Sequence, residues 1–199
     1  MSSDALNTRN RILVATRKLM EANQGPGVRM ADIAREAGIS RQALYLHFGA
    51  RSDLLRATTL YIDELHGVDR RLAASRAANR GVDRLSAFID AWGNYMPHIQ
   101  GVARALLAMQ ETDPDAAAVW AERMNDMREG CAAAIDALAN DADLHDDWQT
   151  DVATDLLWTN LSFRNWDYLR SACGWTQDEY IQRMQYQARS TFVKTAANG

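Results

Sequence analysis

A short stretch near the N-terminus, AGISRQALYLHF (residues 37–48), combines a helical spacing of apolar residues with side chains that could read DNA. Leu44 and Phe48 are four residues apart, which places them on one helix face that can pack inward. The remaining surface carries small and polar side chains, namely Arg41, Gln42, Ala43, Tyr45 and His47. In a DNA major groove, arginine pairs with guanine, glutamine with adenine, and alanine touches a thymine methyl group. Phenol and imidazole groups donate to phosphates. The pattern predicts a DNA-recognition helix, and an ordinary solvated helix is the alternative.

Two helices are predicted before this stretch. Ile12, Ala15 and Leu19 recur at three- and four-residue spacing, which indicates an amphipathic first helix. The segment NQGPG (residues 23–27) ends it, since glycine and proline interrupt helices. RMADIAREA (residues 29–37) then predicts a short second helix.

A tight turn is predicted between the second helix and the recognition stretch. Gly38 can adopt the positive φ that ends a helix, and Ser40 is a good N-cap for a third helix that ends near His47. A fourth helix follows from about residue 51. Two short helices joined in this way predict a helix-turn-helix, whose second helix enters the major groove.

The rest of the chain predicts longer helices and no strand, because runs of alternating β-branched residues are lacking. The predicted segments are about residues 82–95, 102–110, 113–140, 147–172 and 176–195. Pro97 predicts a break between the first two. Asp113, followed by Pro114, caps the third, and Thr176 with Glu179 forms a capping box for the last. The fold class is therefore all-α, with about nine helices.

The charge is unevenly distributed along the 199 residues. Residues 1–56 hold nine Lys/Arg against five Asp/Glu, a net charge of +4, whereas residues 57–199 hold 13 against 21, a net charge of −8. A basic N-terminal segment (residues 1–56, called the head) and an acidic remainder (residues 57–199) are expected when only the N-terminal segment binds an anionic polymer. No apolar run approaches a membrane span and no signal peptide is visible, so a cytoplasmic protein without a membrane partner is predicted.

Known catalytic and metal-binding motifs are not found in the sequence, so we predict no catalytic residue, no metal ligand, no cofactor and no enzyme activity. The two cysteines, Cys131 and Cys173, have neither disulfide nor metal-ligand spacing, and their redox role is left open. An enzyme remains a remote alternative.

Four segments of the head carry a family resemblance. RILVATRKLM, DIAREAGIS, ALYLHF and RSDLL, across about residues 8–57, resemble the N-terminal domain of the tetracycline-repressor (TetR) family. The resemblance implies an Ω-shaped, all-helical homodimer that binds a palindromic double-stranded DNA operator and is released by a small effector. It also implies a DNA-binding domain at residues 1–56 and an effector-binding and dimerisation domain at residues 57–199. A DNA-binding regulator controlled by a partner, or without a small ligand, is the alternative, and activation rather than repression stays open.

The resemblance implies DNA contacts at eight positions: Arg29, Ser40, Arg41, Gln42, Ala43, Tyr45, His47 and Arg51. Arg41, Gln42 and Ala43 occupy base-reading positions. Tyr45 and His47 correspond to backbone contacts. Arg51 corresponds to the phosphate-binding lysine of the family. Three departures from the family pattern matter. Arg29 and Met30 stand at the start of the second helix where Ser or Thr is usual, Gln42 stands where a small residue is frequent, and Ala50 cannot cap the fourth helix.

All six tryptophans and five of the eight methionines lie beyond residue 90. Both adapt to varied ligand shapes, and they predict a pocket for a small hydrophobic or aromatic effector. The acidic excess beside indole rings favours a cationic lipophilic compound. The predicted lining is Trp92, Tyr95, Met96, Arg104, Met109, Trp120, Met124, Met127, Trp158 and Asn160. A stripe at helical spacing is also typical of core packing or of a dimer seam.

A homodimer built on the last two predicted helices is expected, because each of these helices carries an apolar face that is unfavourable when exposed to water. The predicted interface residues are Trp148, Val152, Leu156, Phe163, Tyr180, Met184, Ala188 and Phe192.

Overall fold

The computed structural model describes residues 3–22 and 28–194, and their regular secondary structure is helical apart from one isolated bridge between Leu144 and Val193. The helices are α1 (Ser3–Ala22), α2 (Met30–Glu36), α3 (Arg41–His47), α4 (Arg51–His66), α5 (Val68–Ala77), α6 (Gly81–Met109), α7 (Pro114–Asn140), α8 (Thr150–Asn160), α9 (Phe163–Ser171) and α10 (Gln177–Phe192). The all-α fold class is confirmed. The predicted NQGPG breaker lies outside the described residues. Within the described part of the chain, no helix is long and apolar enough to cross a membrane.

Three differences separate these ten helices from the nine predicted. The segments expected at 82–95 and 102–110 form one helix, α6. The expected helix at 147–172 is divided between α8 and α9, where Ser162 caps α9 by accepting a hydrogen bond from the backbone N–H of Asn165. Helix α5 has no counterpart in the prediction, because its apolar periodicity is weak. Elsewhere the predicted caps are confirmed: Asp113 accepts from the N–H of Ala116, and the Thr176–Glu179 capping box is present.

The chain divides into two compact units. The first comprises Met1–His66 and His98–Arg123, and the second comprises Gly67–Pro97 and Met124–Gly199. This division reflects packing, so the assignment of DNA binding to residues 1–56 and effector binding to residues 57–199 stays a prediction about function.

In the first unit, buried residues of α1 to α4 pack with apolar residues of α6 and α7 in one core. Ile12, Ile33, Leu44 and Leu54 are each fully buried there. Leu44, which the sequence placed on the inward face of the recognition helix, is thus the contact through which that helix joins the core. Burying a leucine side chain in this way contributes about 1.5–3 kcal/mol.

In the second unit, α6 continues through Pro97 instead of ending there. Proline lacks an N–H group, so the carbonyl four residues earlier, that of Gly93, loses its helical partner. The Gln177 side chain replaces it, because its Nε2 donates to the Gly93 oxygen at 2.8 Å. The other side-chain atom of Gln177 accepts from Trp166 Nε1 at 3.1 Å. A side chain distant in sequence therefore compensates for the proline, which explains why the predicted break is wrong.

Gln177→Ala should lower the free energy of unfolding by about 1–3 kcal/mol, because it leaves the Gly93 carbonyl and the Trp166 indole without their partner. Gln182→Ala is the matched control, since Gln182 lies exposed on the same helix. Urea denaturation followed by circular dichroism measures both. Equal stability of the two variants would show that the amide does not compensate for Pro97.

Candidate nucleic-acid interface

Helix α3 is held by its cap and by its two apolar anchors. The Ser40 hydroxyl accepts a hydrogen bond from the Ala43 N–H at 3.1 Å, which confirms it as the N-cap. Leu44 is fully buried and Phe48 is 2% exposed. Arg41 and Gln42 are exposed on the first turn of α3. The arrangement presents a short helix whose apolar side is fixed and whose polar side is open.

The turn before α3 is built as the sequence predicts and is reinforced by a residue that sequence reasoning missed. Gly38 has φ +65°. The Arg11 side chain, on α1, donates to the carbonyl of Ala37 at 2.5 Å. That carbonyl lies at the C-terminal end of α2, where cations are favourable. Arg11 therefore joins α1 to the turn that orients the recognition helix.

Arg9 supports the opposite end of α3. Its guanidinium lies over the Phe48 ring, with 4.3 Å from Cζ to the ring centroid, and its Nη1 donates to the His47 carbonyl at 3.3 Å. A cation over an aromatic face is attracted by about 0.5–2 kcal/mol. Arg9 and Phe48 are far apart in the sequence, and the residues next to Arg9 show no pattern that indicates this contact. The contact could therefore not be found from the sequence.

Most cations of the first 56 residues are engaged within the protein. Lys18 pairs with Glu36 and Arg35 pairs with Asp32, while Arg17 pairs with Glu21. Among the described residues, Arg29 and Arg41 are the two cations of this segment without a protein partner. Arg29 is the N-cap of α2 and makes no side-chain capping bond. Two exposed guanidinium groups are therefore available at the start of the two helices of the helix-turn-helix.

Tyr45 and His47 complete the polar side of α3. The Tyr45 side chain is 45% exposed, and His47 is half-buried in the last turn. Leu46, between them, is 84% exposed. Phenol and imidazole groups at such positions can donate to phosphate oxygens.

Arg51, which the resemblance assigns to a phosphate contact, is largely buried at the start of α4. Its side chain is 18% exposed, and its Nη1 lies 2.6 Å from Asp113 Oδ2. Its Nη2 donates to the Val28 carbonyl at 3.0 Å and lies 3.6 Å from Met109 Sδ. A nearby carboxylate, a carbonyl without a helical partner and a sulfur atom surround this guanidinium inside the first unit, and its contact with a DNA phosphate stays a prediction.

Asp53 supplies the stabilisation that Ala50 cannot give to α4. Its Oδ2 accepts a hydrogen bond from the Ala50 N–H at 3.2 Å. An acidic residue three positions after the helix start reaches back to the N-terminal backbone, as in half of a capping box. The spacing of Ala50 and Asp53 in the sequence was the available signal.

The predicted effector residues are distributed between the two units. Arg104, Met109 and Trp120 belong to the first, and the other seven belong to the second. Met109 is 1% exposed in the core beneath Arg51, so its side chain is part of that core, and the effector pocket stays a prediction. The stripe at helical spacing is core packing at this position.

In the second unit, the seven predicted effector residues differ in their surroundings. Tyr95, Met96 and Met127 are buried, and Trp92 Nε1 donates to the Leu161 carbonyl at 3.0 Å. Trp158 Nε1 is buried with no hydrogen-bond partner among the described residues. Met124 and Asn160 are half-buried. A separate groove of about 200 Å³ between α6 and α10 is lined by none of these residues.

The predicted dimer face also needs correction. Phe163, Tyr180, Ala188 and Phe192 are at most 4% exposed within the single chain, and Met184 is 8% exposed. These side chains pack against the core of their own unit, so the apolar stripe of α10 is not an outer surface. The large apolar side chains that are exposed in this region are Val152, Tyr168 and Tyr186. Trp148 and Leu156 are half-buried.

The core of the second unit contains two polar groups kept neutral by burial. Burial raises the pKa of the Cys131 thiol to about 12, which leaves it protonated and unreactive at neutral pH. Burial, and then the neighbouring Cys131, raises the pKa of the Tyr180 phenol. The Tyr180 hydroxyl has no hydrogen-bond partner in the described part of the chain. Cys173 is exposed and free.

Comparison with known proteins agrees with this geometry. Residues 12–58 match the family described as bacterial regulatory proteins, tetR family. Over 108 residues the chain is 34% identical to the HTH-type transcriptional regulator AlkX of Mycobacterium tuberculosis (strain ATCC 25618 / H37Rv). That match covers 53% of this chain and 44% of the relative, so less than half of the relative's length is spanned.

Solved structures share the fold. A protein of Saccharomonospora viridis described as a transcriptional regulator, in complex with choline, has a TM-score of 0.74 at 18% identity, covering 95% of this chain and 99% of that one. NalD of Pseudomonas aeruginosa, the secondary repressor of the MexAB-OprM multidrug efflux pump, has a TM-score of 0.67 at 20% identity, covering 99% and 100%. At these identities the likeness shows the fold alone.

The helix-turn-helix geometry of residues 30–47 and the match of residues 12–58 are features that this chain shares with DNA-binding transcriptional regulators. Residues 12–58 are similar in sequence to bacterial regulatory proteins of the tetR family, and the relative that matches over 108 residues is a transcriptional regulator. The proteins that it resembles are transcriptional regulators rather than enzymes.

Proposed function

We propose that this protein is a cytoplasmic, ligand-responsive repressor that binds a palindromic operator as a homodimer. The observation that carries the DNA-binding part is the polar side of α3, where Arg41 and Gln42 are exposed while Leu44 is buried. A helix so anchored can enter a major groove with its first turn against base edges.

Electrostatics support the same proposal. Arg29 and Arg41 are free for DNA, whereas the other described cations of the head are held by protein groups. The predicted contacts are then divided by chemistry: Arg41, Gln42 and Ala43 for bases, and Arg29, Ser40, Tyr45 and His47 for the sugar–phosphate backbone. The backbone contacts would supply the salt-dependent share of the affinity.

Selection of bound DNA from a random pool tests operator binding. The expected product is a palindrome whose half-sites lie about one helical turn apart, since a two-fold dimer presents two identical recognition helices. Its affinity should fall steeply as salt concentration rises. A pool that gains no common sequence over successive rounds would contradict the proposal.

The effector part of the proposal is supported by two buried donors. Trp158 Nε1 and the Tyr180 hydroxyl have no partner among the described residues, and an unpaired buried polar group costs free energy that a ligand acceptor could offset. They favour an effector with an apolar body and at least one hydrogen-bond acceptor. The indole rings and the acidic excess of residues 57–199 favour a cationic compound, and choline in a structural neighbour is one example.

Titration of intrinsic tryptophan fluorescence with choline and with larger aromatic ammonium compounds tests this part. An effector that releases DNA must bind free protein more tightly than operator-bound protein, and by the same factor by which it weakens DNA binding. A 100-fold release corresponds to about 2.7 kcal/mol of coupling. A compound that binds both forms equally is not the effector. If every acceptor-bearing compound does so, control by a partner protein becomes the better proposal.

The homodimer is proposed on the exposed apolar side chains of the C-terminal helices, with Val152, Tyr168 and Tyr186 replacing the buried members of the predicted face. Size-exclusion chromatography with light scattering should give a dimer at micromolar concentration. A monomer under those conditions, or a dimer indifferent to Tyr168→Arg and Tyr186→Arg, would contradict this surface.

A further inference from the structure

We propose that Arg51 is a positioning residue, which clamps the chain segment entering α2 to the turn between α6 and α7, and that it does not bind a DNA phosphate. The proposal rests on the proposed operator binding, although one arm of its test does not. Every group that it involves lies in the first unit.

The Arg51 guanidinium is the hydrogen-bond donor for a buried backbone carbonyl, that of Val28. Its Nε and Nη2 both donate to the Val28 carbonyl, at 3.3 and 3.0 Å. Val28 is 2% exposed and directly precedes Arg29, the N-cap of α2. This carbonyl therefore depends on Arg51, because a buried carbonyl without a donor is costly.

Asp113 serves the clamp at its other side. Its Oδ2 lies 2.6 Å from Arg51 Nη1, while its Oδ1 accepts from the backbone N–H groups of Asp115 and Ala116 at 3.1 and 3.3 Å. One carboxylate thus caps α7 and neutralises the arginine. The Asp113 side chain is 24% exposed, so solvent screens this pair only in part.

Release of Arg51 toward a phosphate would break all of these contacts together. It would leave the Val28 carbonyl without a donor and Asp113 without its cation. The exposed Arg29, one residue after Val28, can supply charge to DNA without that loss. The clamp instead fixes the entry of α2, and α2 contacts α3 through the turn at Gly38, so the recognition helix depends on it indirectly.

Three variants test the clamp. Arg51→Met keeps the length of the side chain and removes its charge and donors. Asp113→Asn keeps an oxygen that can cap α7 and removes the charge that pairs with Arg51. Arg56→Met is the matched control, because Arg56 lies on the same helix and pairs with an acidic residue of α7, Glu122, at 2.6 Å, but does not contact Val28.

On the selected operator, Arg51→Met, which removes the hydrogen bonds to Val28 and the ion pair, and Asp113→Asn, which removes the ion pair, should each weaken binding about tenfold. The double variant should bind the operator at most about twofold more weakly than the weaker of the two single variants. The two substitutions disrupt the same clamp, so their effects should not add. The slope of log affinity against log salt should stay unchanged, and Arg56→Met should change affinity less than about twofold.

A phosphate contact gives the opposite pattern. Arg51→Met would then reduce the salt slope by about 0.9 per half-site, and Asp113→Asn would leave DNA binding unchanged or tighten it by freeing Arg51. Either result overturns the proposal. An unchanged operator affinity in both variants would also overturn the proposal, because the Arg51–Asp113 pair would then contribute only to stability.

Amide hydrogen exchange without DNA separates this proposal from the proposed function. Exchange in α2 should be at least about fivefold faster in Arg51→Met and Asp113→Asn than in the wild type and in Arg56→Met. If the random pool yields no operator but exchange follows this order, the clamp stands and the proposed function fails. If an operator is found and exchange in α2 is unaffected, the clamp is wrong.

Discussion

Phe48→Ala should lower the free energy of unfolding by about 3–5 kcal/mol, which is the usual cost of removing a buried phenylalanine side chain. Phe48 is 2% exposed and follows α3 directly, as its C-cap. The truncation removes the core contacts of the Phe48 side chain. It also removes the aromatic ring over which Arg9 lies, with 4.3 Å from Arg9 Cζ to the ring centroid. Because a domain of this kind is stable by about 5–15 kcal/mol, DNA binding should be lost well below the melting temperature of the wild type.

Leu46→Ala is the control for this experiment. Leu46 is also a large apolar residue of α3, but it is 84% exposed, so its truncation should change stability by less than about 0.5 kcal/mol. Urea denaturation followed by circular dichroism measures both variants, and an unchanged m-value shows that the comparison is between like transitions. A loss of under about 1 kcal/mol for Phe48→Ala would mean that α3 is not anchored through its C-terminal end.

The head could be predicted closely from sequence because its signals are local. The cap of α3 needs only a hydroxyl at Ser40, the turn needs only a glycine at Gly38, and the inward face needs only Leu44 and Phe48 at helical spacing. Each of these constraints acts within a few residues. The structure accordingly places all of them where the pattern predicts.

Predictions that depended on distant partners were less successful. The break expected at Pro97 does not occur, because Gln177 donates to the Gly93 carbonyl, 84 residues earlier in the chain, which lacks its helical partner. Arg51 is turned inward by Asp113, 62 residues away. In both pairs the two residues belong to different helices or turns and share no sequence periodicity. Patterns within a short stretch of sequence could therefore not predict either contact.

The effector and dimer residues show a further reason for disagreement. Apolar spacing identifies a buried face but does not say what covers it. Tyr180 and Phe192 are fully buried within one chain, although the same spacing would suit a seam between two chains. Met109 likewise belongs to the core of the first unit. Burial by the chain itself and burial by a partner or a ligand leave the same pattern in the sequence.

Arg41→Ala and Gln42→Ala should each cost about 1–3 kcal/mol in operator binding and should relax the preference at particular base pairs. Both side chains are exposed on the first turn of α3, and Arg41 has no partner among the described residues, so little energy is lost within the protein when either is removed. The discrimination comes from paired hydrogen bonds to purine edges, which a wrong base cannot satisfy.

Arg29→Ala and Arg35→Ala are the comparison for this pair of variants. Arg29 lies at the N-cap of α2 and has no partner among the described residues, so its removal should weaken binding to all sequences alike and lower the salt slope by about 0.9 per half-site. Arg35 is exposed but held by Asp32 at 2.6 Å, so its removal should have a smaller effect. The affinities of the four variants for the operator and for its single-base substitutions, measured over a series of salt concentrations, give the salt slope of each variant and a pattern of losses by position. Base reading by α3 requires that the losses of Arg41→Ala and Gln42→Ala vanish at specific substituted positions; uniform losses across all sequences would assign both residues to the backbone.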